Sequence, residues 1–364
     1  MISPEDLGKY KNLVGSIRID HEAYERIFTS IMDALDDVGT ATDIFATAAV
    51  PSCKIIVGET RTGKSAVVID VVRACELDSE SGGQRQSIVY AIAPPKGTVK
   101  ALLEQLLRAL GDPHWARGTE SNMTQRLLTM LRSVGCRMII IDEFQHLGEN
   151  GSGKLLYRTA DWLKNLVEGK EWALVAIGLP EAVSIIHANR QLVTRFDPPL
   201  VMPLFDWNDD YSRRQFKAVL RSFAVELAPF ELPDLGERDT ALRLYLATSG
   251  RIGLFVKLMD RAVKNAIRKG DPRIRLDDLA VAFEQSIWFS TEFPLPGGPF
   301  HADIAVCRGE SLIAGVQQLA SRDDYDDLSA GVSVHGPKEQ PEGSNNGAAR
   351  SEKRRVKNEL GTVL

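Results

Sequence analysis

The segment Gly58-Glu59-Thr60-Arg61-Thr62-Gly63-Lys64-Ser65 fits the pattern G-x-x-x-x-G-K-[ST] at every position. It constrains the fold more than any other part of the chain. Before it comes a short β-branched run, Lys54-Ile55-Ile56-Val57, and after it a helical stretch from Lys64 to Cys75. A glycine-rich turn between strand and helix is a phosphate-binding loop. Gly58 and Gly63 let the backbone wrap an anion with its N–H groups turned inward. The helix beginning at Lys64 adds the positive end of its dipole. Lys64 is expected to contact the β- and γ-phosphates of ATP, and the Ser65 hydroxyl to ligate Mg²⁺. Glu59, Thr60, Arg61 and Thr62 complete the cradle.

The second half of such a site is Met138-Ile139-Ile140-Ile141-Asp142-Glu143. A buried strand ending in two carboxylates places them at the carboxyl edge of the sheet, where α/β folds bind ligands. Asp142 is expected to hold Mg²⁺ through water, and Glu143 to orient and deprotonate the attacking water. Glu143 makes hydrolysis, and not only binding, the expectation.

Around these motifs, strand-like and helix-like stretches alternate from Lys54 to Met202, and after Asp206 the strand signals stop. Alternation of this kind implies an α/β parallel sheet with helices on both faces. Helical runs at Tyr211–Glu226, Arg238–Thr248, Ile252–Arg268 and Leu276–Phe289 then imply a small helical domain. The expected division is 1–45 as an N-terminal helical extension, 46–205 as the nucleotide-binding domain, 206–292 as a helical lid and 293–364 as an extension. In the first part, Ala23, Ile27, Ile31 and Leu35 repeat at helical spacing behind Asp20, a suitable N-cap. The run from Pro294 to Pro299 is expected to end regular structure. Beyond about residue 320, acidic, then Gly/Ser/Asn-rich, then basic composition (Lys353, Arg354, Arg355, Lys357) predicts disorder.

Four scattered cysteines (Cys53, Cys75, Cys136, Cys307) form no CxxC or Cys/His cluster, which points to free thiols in a reducing cytoplasm. No stretch of about 18 apolar residues is present to span a bilayer. The formal net charge of −5 excludes wholesale coating of nucleic acid but not local basic patches.

Together the two motifs, the Arg195-Phe196 pair and the helical second part resemble an AAA+ ATPase. The stretch Ile141-Asp142-Glu143-Phe144-Gln145-His146-Leu147 narrows the resemblance. So do Ala176-Ile177-Gly178, Pro180-Glu181-Ala182 and Gln191-Leu192-Val193-Thr194-Arg195-Phe196. These are similar to the TniB/TnsC transposition helper ATPases, and more loosely to ExeA-type and IstB-type ATPases, over roughly residues 10 to 300.

The resemblance implies an ATP-dependent homo-oligomer, ring or filament, on double-stranded DNA. It would recruit a transposase, with a target-selection protein as a further partner. It implies that Arg195 reaches across to a neighbour's γ-phosphate and that Arg251, opening a helix of the lid, senses the phosphate within its own subunit. Family DNA contacts fall here on Lys96, Lys100, Arg117, Thr119 and Lys154. Lys96 and Lys154 lead, because Gly97, Gly151 and Gly153 flank them in what read as flexible loops.

The chain departs from the pattern at one place. The end of the fourth strand usually carries a polar sensor, and here it is Gly178-Leu179, which offers no side-chain hydrogen bond. Either hydrolysis is slow or another residue, such as Gln145, substitutes. His146 has no metal-spaced partner and reads as structural or surface-lining. Three other readings share the motifs: a replication-initiator or helicase-loader ATPase, an ExeA-like secretion ATPase, and a nucleotide-gated scaffold without useful turnover.

Overall fold

The computed structural model describes residues 8–18, 21–38, 53–78, 88–95, 97–149, 153–168 and 171–321. Five strands, β1 Lys54–Val57, β2 Ile88–Ile92, β3 Met138–Asp142, β4 Ala173–Gly178 and β5 Leu200–Val201, form one sheet. Its order is β2-β3-β4-β1-β5, with every pairing parallel. Because β4 lies between β1 and β3, the two nucleotide motifs approach each other across the end of β4.

The central strands form because their residues are apolar on both faces, as parallel strands covered on two sides must be. In β3, Ile139 and Ile141 pack into one core with the helices Val99–Ala109, Glu120–Ser133 and Gly153–Glu168. Met138 and Ile140 pack into the opposite core with the helices Glu22–Asp36 and Lys64–Asp78. All five β3 residues are buried, and truncating one isoleucine there would cost about 2–5 kcal/mol.

Ala23, Ile27, Ile31 and Leu35 are buried on the predicted helix. Its cap, however, is His21, whose Nδ1 accepts the Tyr24 N–H at 3.4 Å. Asp20, the expected cap, lies outside the described residues.

After the sheet, the helices Asp210–Glu226, Arg238–Thr248, Ile252–Lys269 and Leu276–Ser286 surround a second core rich in aromatic rings. Regular structure does not end at the proline-rich run. Gly297 and Gly298 both take positive φ there (74° and 71°) in a tight turn. The chain then continues as the helices Gly298–His301, Ile304–Cys307 and Glu310–Ser321. Phe300, Cys307, Ile313 and Val316 belong to the same core as the helices before them. Arg243 fastens this segment by donating to the carbonyls of Phe300 at 3.2 Å and Ala302 at 2.8 Å. Val14, in the short helix Leu13–Ser16, also joins this core, so the N-terminal segment touches both parts of the molecule. Contacts divide the chain into Met1–Ser321 and Arg322–Leu364. The second unit, with the tail predicted to be disordered, lies outside the described residues.

The corner Ser249-Gly250-Arg251 docks the helical part onto the strand exit. Gly250 has φ +69°, and its carbonyl accepts the Phe205 N–H at 3.3 Å. A Cβ at Gly250 would stand 2.2 Å from the Phe205 carbonyl oxygen. Gly250→Ala is therefore expected to cost about 3 kcal/mol, from left-handed strain plus overpacking against backbone. Denaturant unfolding reads this directly, and a cost below about 1 kcal/mol would mean that the corner is not docked.

Candidate functional site

The phosphate loop leaves β1 at Gly58 and enters the Lys64–Asp78 helix. Gly58 has no room for a side chain, since a Cβ would lie 2.5 Å from the Met202 carbonyl oxygen. Gly63 takes φ +104°, a conformation that excludes ordinary side chains. The Lys64 ammonium donates to the carbonyls of Gly58 and Glu59, each at 2.6 Å, and is thereby held across the loop. Burial lowers its pKa, against the opposing pull of the Glu143, Asp142 and Glu59 carboxylates. A half-buried ammonium whose donors rest on backbone carbonyls is well placed to exchange them for phosphate oxygens.

Across the end of β4, the Ser65 hydroxyl donates to Asp142 Oδ2 at 2.8 Å. Tyr90, on β2, donates its hydroxyl to the same oxygen at 2.8 Å, and the Glu143 N–H donates to Oδ1 at 2.8 Å. Asp142 is buried, and three donors fix its orientation. Burial, and then the bond to Asp142, push the Tyr90 phenol far above its ordinary pKa, so it remains a donor. Glu143 is half exposed and takes left-handed backbone angles (φ +53°, ψ 39°), which turn its carboxylate off the strand direction. Gln145 donates from Nε2 to Glu143 Oε2 at 2.5 Å. Its Oε1 accepts the Leu179 N–H at 3.1 Å. The hydroxyl–carboxylate pair Ser65–Asp142 suits a hard, oxygen-seeking cation, and the loop above it suits a triphosphate.

Among the described residues, the non-glycine positions with positive φ are Arg61, Glu143 and Ser249. One lies in the phosphate loop, one follows the acidic strand, and one stands at the corner after the Arg238–Thr248 helix. Backbone strain of this kind concentrates at functional sites. The loop and the helical part also touch directly: the Gly253 N–H donates to the Arg61 carbonyl at 2.7 Å. Arg251 is 2% exposed; burial lowers its pKa, while the Glu59 carboxylate opposes that shift.

The family model described as "Bacterial TniB protein" matches residues 18–209, more than half of the chain. The chain belongs to the TniB family. No curated protein sequence matches it. Among solved structures, it is similar to the ORC1 protein of Aeropyrum pernix in complex with DNA, at 18% identity and a TM-score of 0.53. That match covers 85% of this chain and 87% of the other. CDC6P from Pyrobaculum aerophilum matches at 13% identity and TM-score 0.54, covering 79% and 74%. The Aeropyrum pernix ORC2 protein, in ADPNP and ADP complexes, matches at 15% identity and TM-score 0.52, covering 78% and 74%. These likenesses show the fold: a TniB chain with an AAA+ α/β core followed by a helical part.

The other candidate residues fall at varied places on the TniB fold. Arg195 lies beside the start of β1, where its carbonyl accepts the Cys53 N–H at 2.9 Å. At about 3.3 Å per residue, the five steps from Cys53 to Gly58 put the phosphate loop roughly 16 Å away along the strand. The Arg195 guanidinium stands 3.8 Å from Glu168 and is partly exposed.

Lys100 and Arg117 are exposed, Lys100 on the Val99–Ala109 helix and Arg117 in the loop before the Glu120–Ser133 helix. That loop is ordered by Arg126, which donates to Asp112 at 2.6 Å and to the Arg117 carbonyl at 3.0 Å. Thr119 caps the helix after it, accepting the Asn122 N–H at 3.3 Å. Lys96 lies outside the described residues, as does Gly151.

Two loop expectations need correction. Gly97 is buried, donates its N–H to the His146 carbonyl at 3.0 Å and would clash if given a Cβ, so it is not a flexible hinge. Lys154 lies in the first turn of the Gly153–Glu168 helix, because Gly153 starts the helix instead of belonging to a loop.

His146 stands 4.0 Å from Glu143 and is bonded through Nδ1 to Glu149. Among the described residues no cluster of His, Cys, Asp or Glu is suited to a metal. No helix among them is long and apolar enough to cross a membrane. None of the four cysteines forms a disulfide, and burial pushes Cys53 up to about 11 and Cys136 up to about 12.

Sequence reasoning missed Tyr90. Its signal was a polar-tipped aromatic in an apolar strand. Parallel register pairs Tyr90 with Ile140, which places it on the same face as Asp142 two residues on.

Proposed function

We propose that this TniB chain is an Mg²⁺-dependent ATPase that assembles on double-stranded DNA in its ATP-bound state and delivers a transposase there. The observation that carries the reading is the split between a nearly complete site at one end of β1 and a partly exposed arginine at the other. Within one subunit, Lys64, Ser65, Asp142 and Glu143 converge at the carboxyl edge of the sheet, whereas Arg195 lies at the amino edge. An arginine so placed is useful to the site of an adjoining copy.

In this reading residues 46–205 form the nucleotide-binding domain and the helices after about 206 form the lid, which continues through Ser321. The backbone N–H groups from Glu59 to Ser65 and the Lys64 ammonium hold the phosphates, and Ser65 with Asp142 holds the cation. Bound Mg²⁺ supplies neutralisation of charge on the phosphate oxygens. Tyr90 keeps Asp142 aimed at Ser65. Glu143 accepts a proton from water as its oxygen attacks the γ-phosphorus; the bond to the β–γ bridging oxygen breaks, leaving ADP and phosphate. Arg251, buried beside Glu59, couples the lid to the loaded loop. Lys96, Lys100, Arg117, Thr119 and Lys154 are the proposed DNA contacts, where Lys and Arg would make the salt-sensitive phosphate bonds.

Sedimentation with duplex DNA tests this. With a non-hydrolysable ATP analogue, the protein is expected to cosediment as large DNA-bound assemblies that fall apart as salt is raised. No assembly, or assembly indifferent to nucleotide, would sink the reading. A transposase whose strand transfer is stimulated separates it from the replication-initiator alternative, in which the partner is a helicase.

A further inference from the structure

The geometry points to Gln145 as the positioning residue that ties Glu143 to the phosphate loop, filling the place left without a side chain at the end of β4. This rests on the hydrolysis reading above and deepens it.

A chain of hydrogen bonds carries the inference. The Gly58 N–H donates to the Gly178 carbonyl at 3.2 Å, so the phosphate loop is fastened to the last residue of β4. The next residue, Leu179, donates its N–H to Gln145 Oε1 at 3.1 Å. The other end of that amide donates to Glu143 Oε2 at 2.5 Å. Gln145 is bonded at both ends, so its amide orientation is set by one acceptor demand and one donor demand. It is held by an N–H on one side and a carboxylate on the other.

Gly178 is what makes the arrangement possible. A Cβ there would stand 2.5 Å from Gln145 Oε1, 3.1 Å from the Ala182 Cβ and 3.3 Å from the Gln145 N. A side chain at 178 and the Gln145 amide therefore compete for one space. The polar group that would otherwise stand on β4 is supplied from the neighbouring segment, one residue beyond Phe144 in the turn Phe144–Leu147.

The amide occupies Glu143 Oε2 and leaves Oε1 as the acceptor for water. Since Glu143 already sits at φ +53°, outside the favoured backbone regions, its carboxylate needs such a second anchor to keep one direction. A shift of the loop at Gly58 moves β4's end and, through Leu179, the amide. Gln145 does not touch the reacting atoms; it acts through Glu143.

The test uses the full-length chain and measures nucleotide affinity with a fluorescent ATP analogue, together with kcat and KM. Gln145→Ala is expected to lower kcat between about ten- and a hundredfold, the scale of a misplaced catalytic group. Analogue affinity and KM should stay within about threefold, because the loop's own phosphate contacts remain. Gly178→Ser alone should also lower kcat, by displacing the amide. The double variant Gln145→Ala with Gly178→Ser should recover turnover above either single variant, since a hydroxyl then has the vacated space.

If Gln145→Ala turns over ATP as fast as the natural chain or faster, Gln145 does not position Glu143 and the inference fails alone. Additive losses in the double variant overturn it too. If Glu143→Gln leaves hydrolysis unchanged, the general-base reading falls, and this inference falls with it.

Discussion

Lys64→Ala is expected to lose nucleotide binding by a factor of about 100 to 10,000, and with it every ATP-dependent property of the protein. The lysine is the one side-chain cation bonded within the phosphate loop among the described residues, at 2.6 Å from two of the loop's carbonyl oxygens. Two charge-assisted hydrogen bonds to phosphate contribute about 1.5–3 kcal/mol each, and about 1.4 kcal/mol is tenfold in affinity. Folding should barely change, because the ammonium's present partners are carbonyls at the loop edge. Isothermal titration with ATP and Mg²⁺ checks the affinity, and unfolding by denaturant checks the fold. Retained micromolar binding in a folded Lys64→Ala protein would mean that the phosphates sit elsewhere.

Much of this site was legible because its chemistry is bound to local pattern. The spacing of Gly58, Gly63, Lys64 and Ser65 carries the loop, and the apolar run before Asp142 and Glu143 carries the strand and its edge. Sheet and helices followed from periodicity, since each element buries a contiguous apolar set.

The parts that escaped depend on contacts far apart in the chain or on elements too short to show a period. The helices at Gly298–His301 and Ile304–Cys307 are four residues each, and the proline-glycine run before them reads as a terminator until its turn is seen folding back on Phe283. Gly97 looked free because a glycine beside a lysine resembles a loop; its buried contact with Leu147 lies 50 positions away. Tyr90 and the bond between Gly253 and Arg61 depend on strand register and on docking of the helical part, which no local pattern encodes. Gln145 was legible as a substitute for the missing polar group at Gly178-Leu179. That it bridges Glu143 and Leu179 was not, because β4 is distant from it in sequence.

The second large effect concerns Arg195. Arg195→Ala is expected to bind ATP with natural affinity and to lose turnover by about a thousandfold, the scale of an arginine supplied in trans to a phosphoryl transfer. Its loss should leave the fold intact, since its ion pair with Glu168 is a long one at 3.8 Å between partly exposed groups and such pairs contribute about 0–1 kcal/mol. Glu143→Gln should be equally inactive for a different reason, retaining assemblies on DNA but lacking the base. The two defects lie on opposite sides of the proposed contact between copies.

Mixing them is the most direct measurement of the central claim, that ATP is hydrolysed between neighbouring subunits on DNA. In an equal mixture of Arg195→Ala and Glu143→Gln chains, about one contact in four pairs an intact Glu143 with an intact Arg195, as a head-to-tail assembly requires. ATPase activity is expected to rise from near zero for each variant alone to about a quarter of the natural rate, and only with duplex DNA present. A mixture as inactive as its components, although it assembles, would place Arg195 outside the neighbour's site and contradict the account.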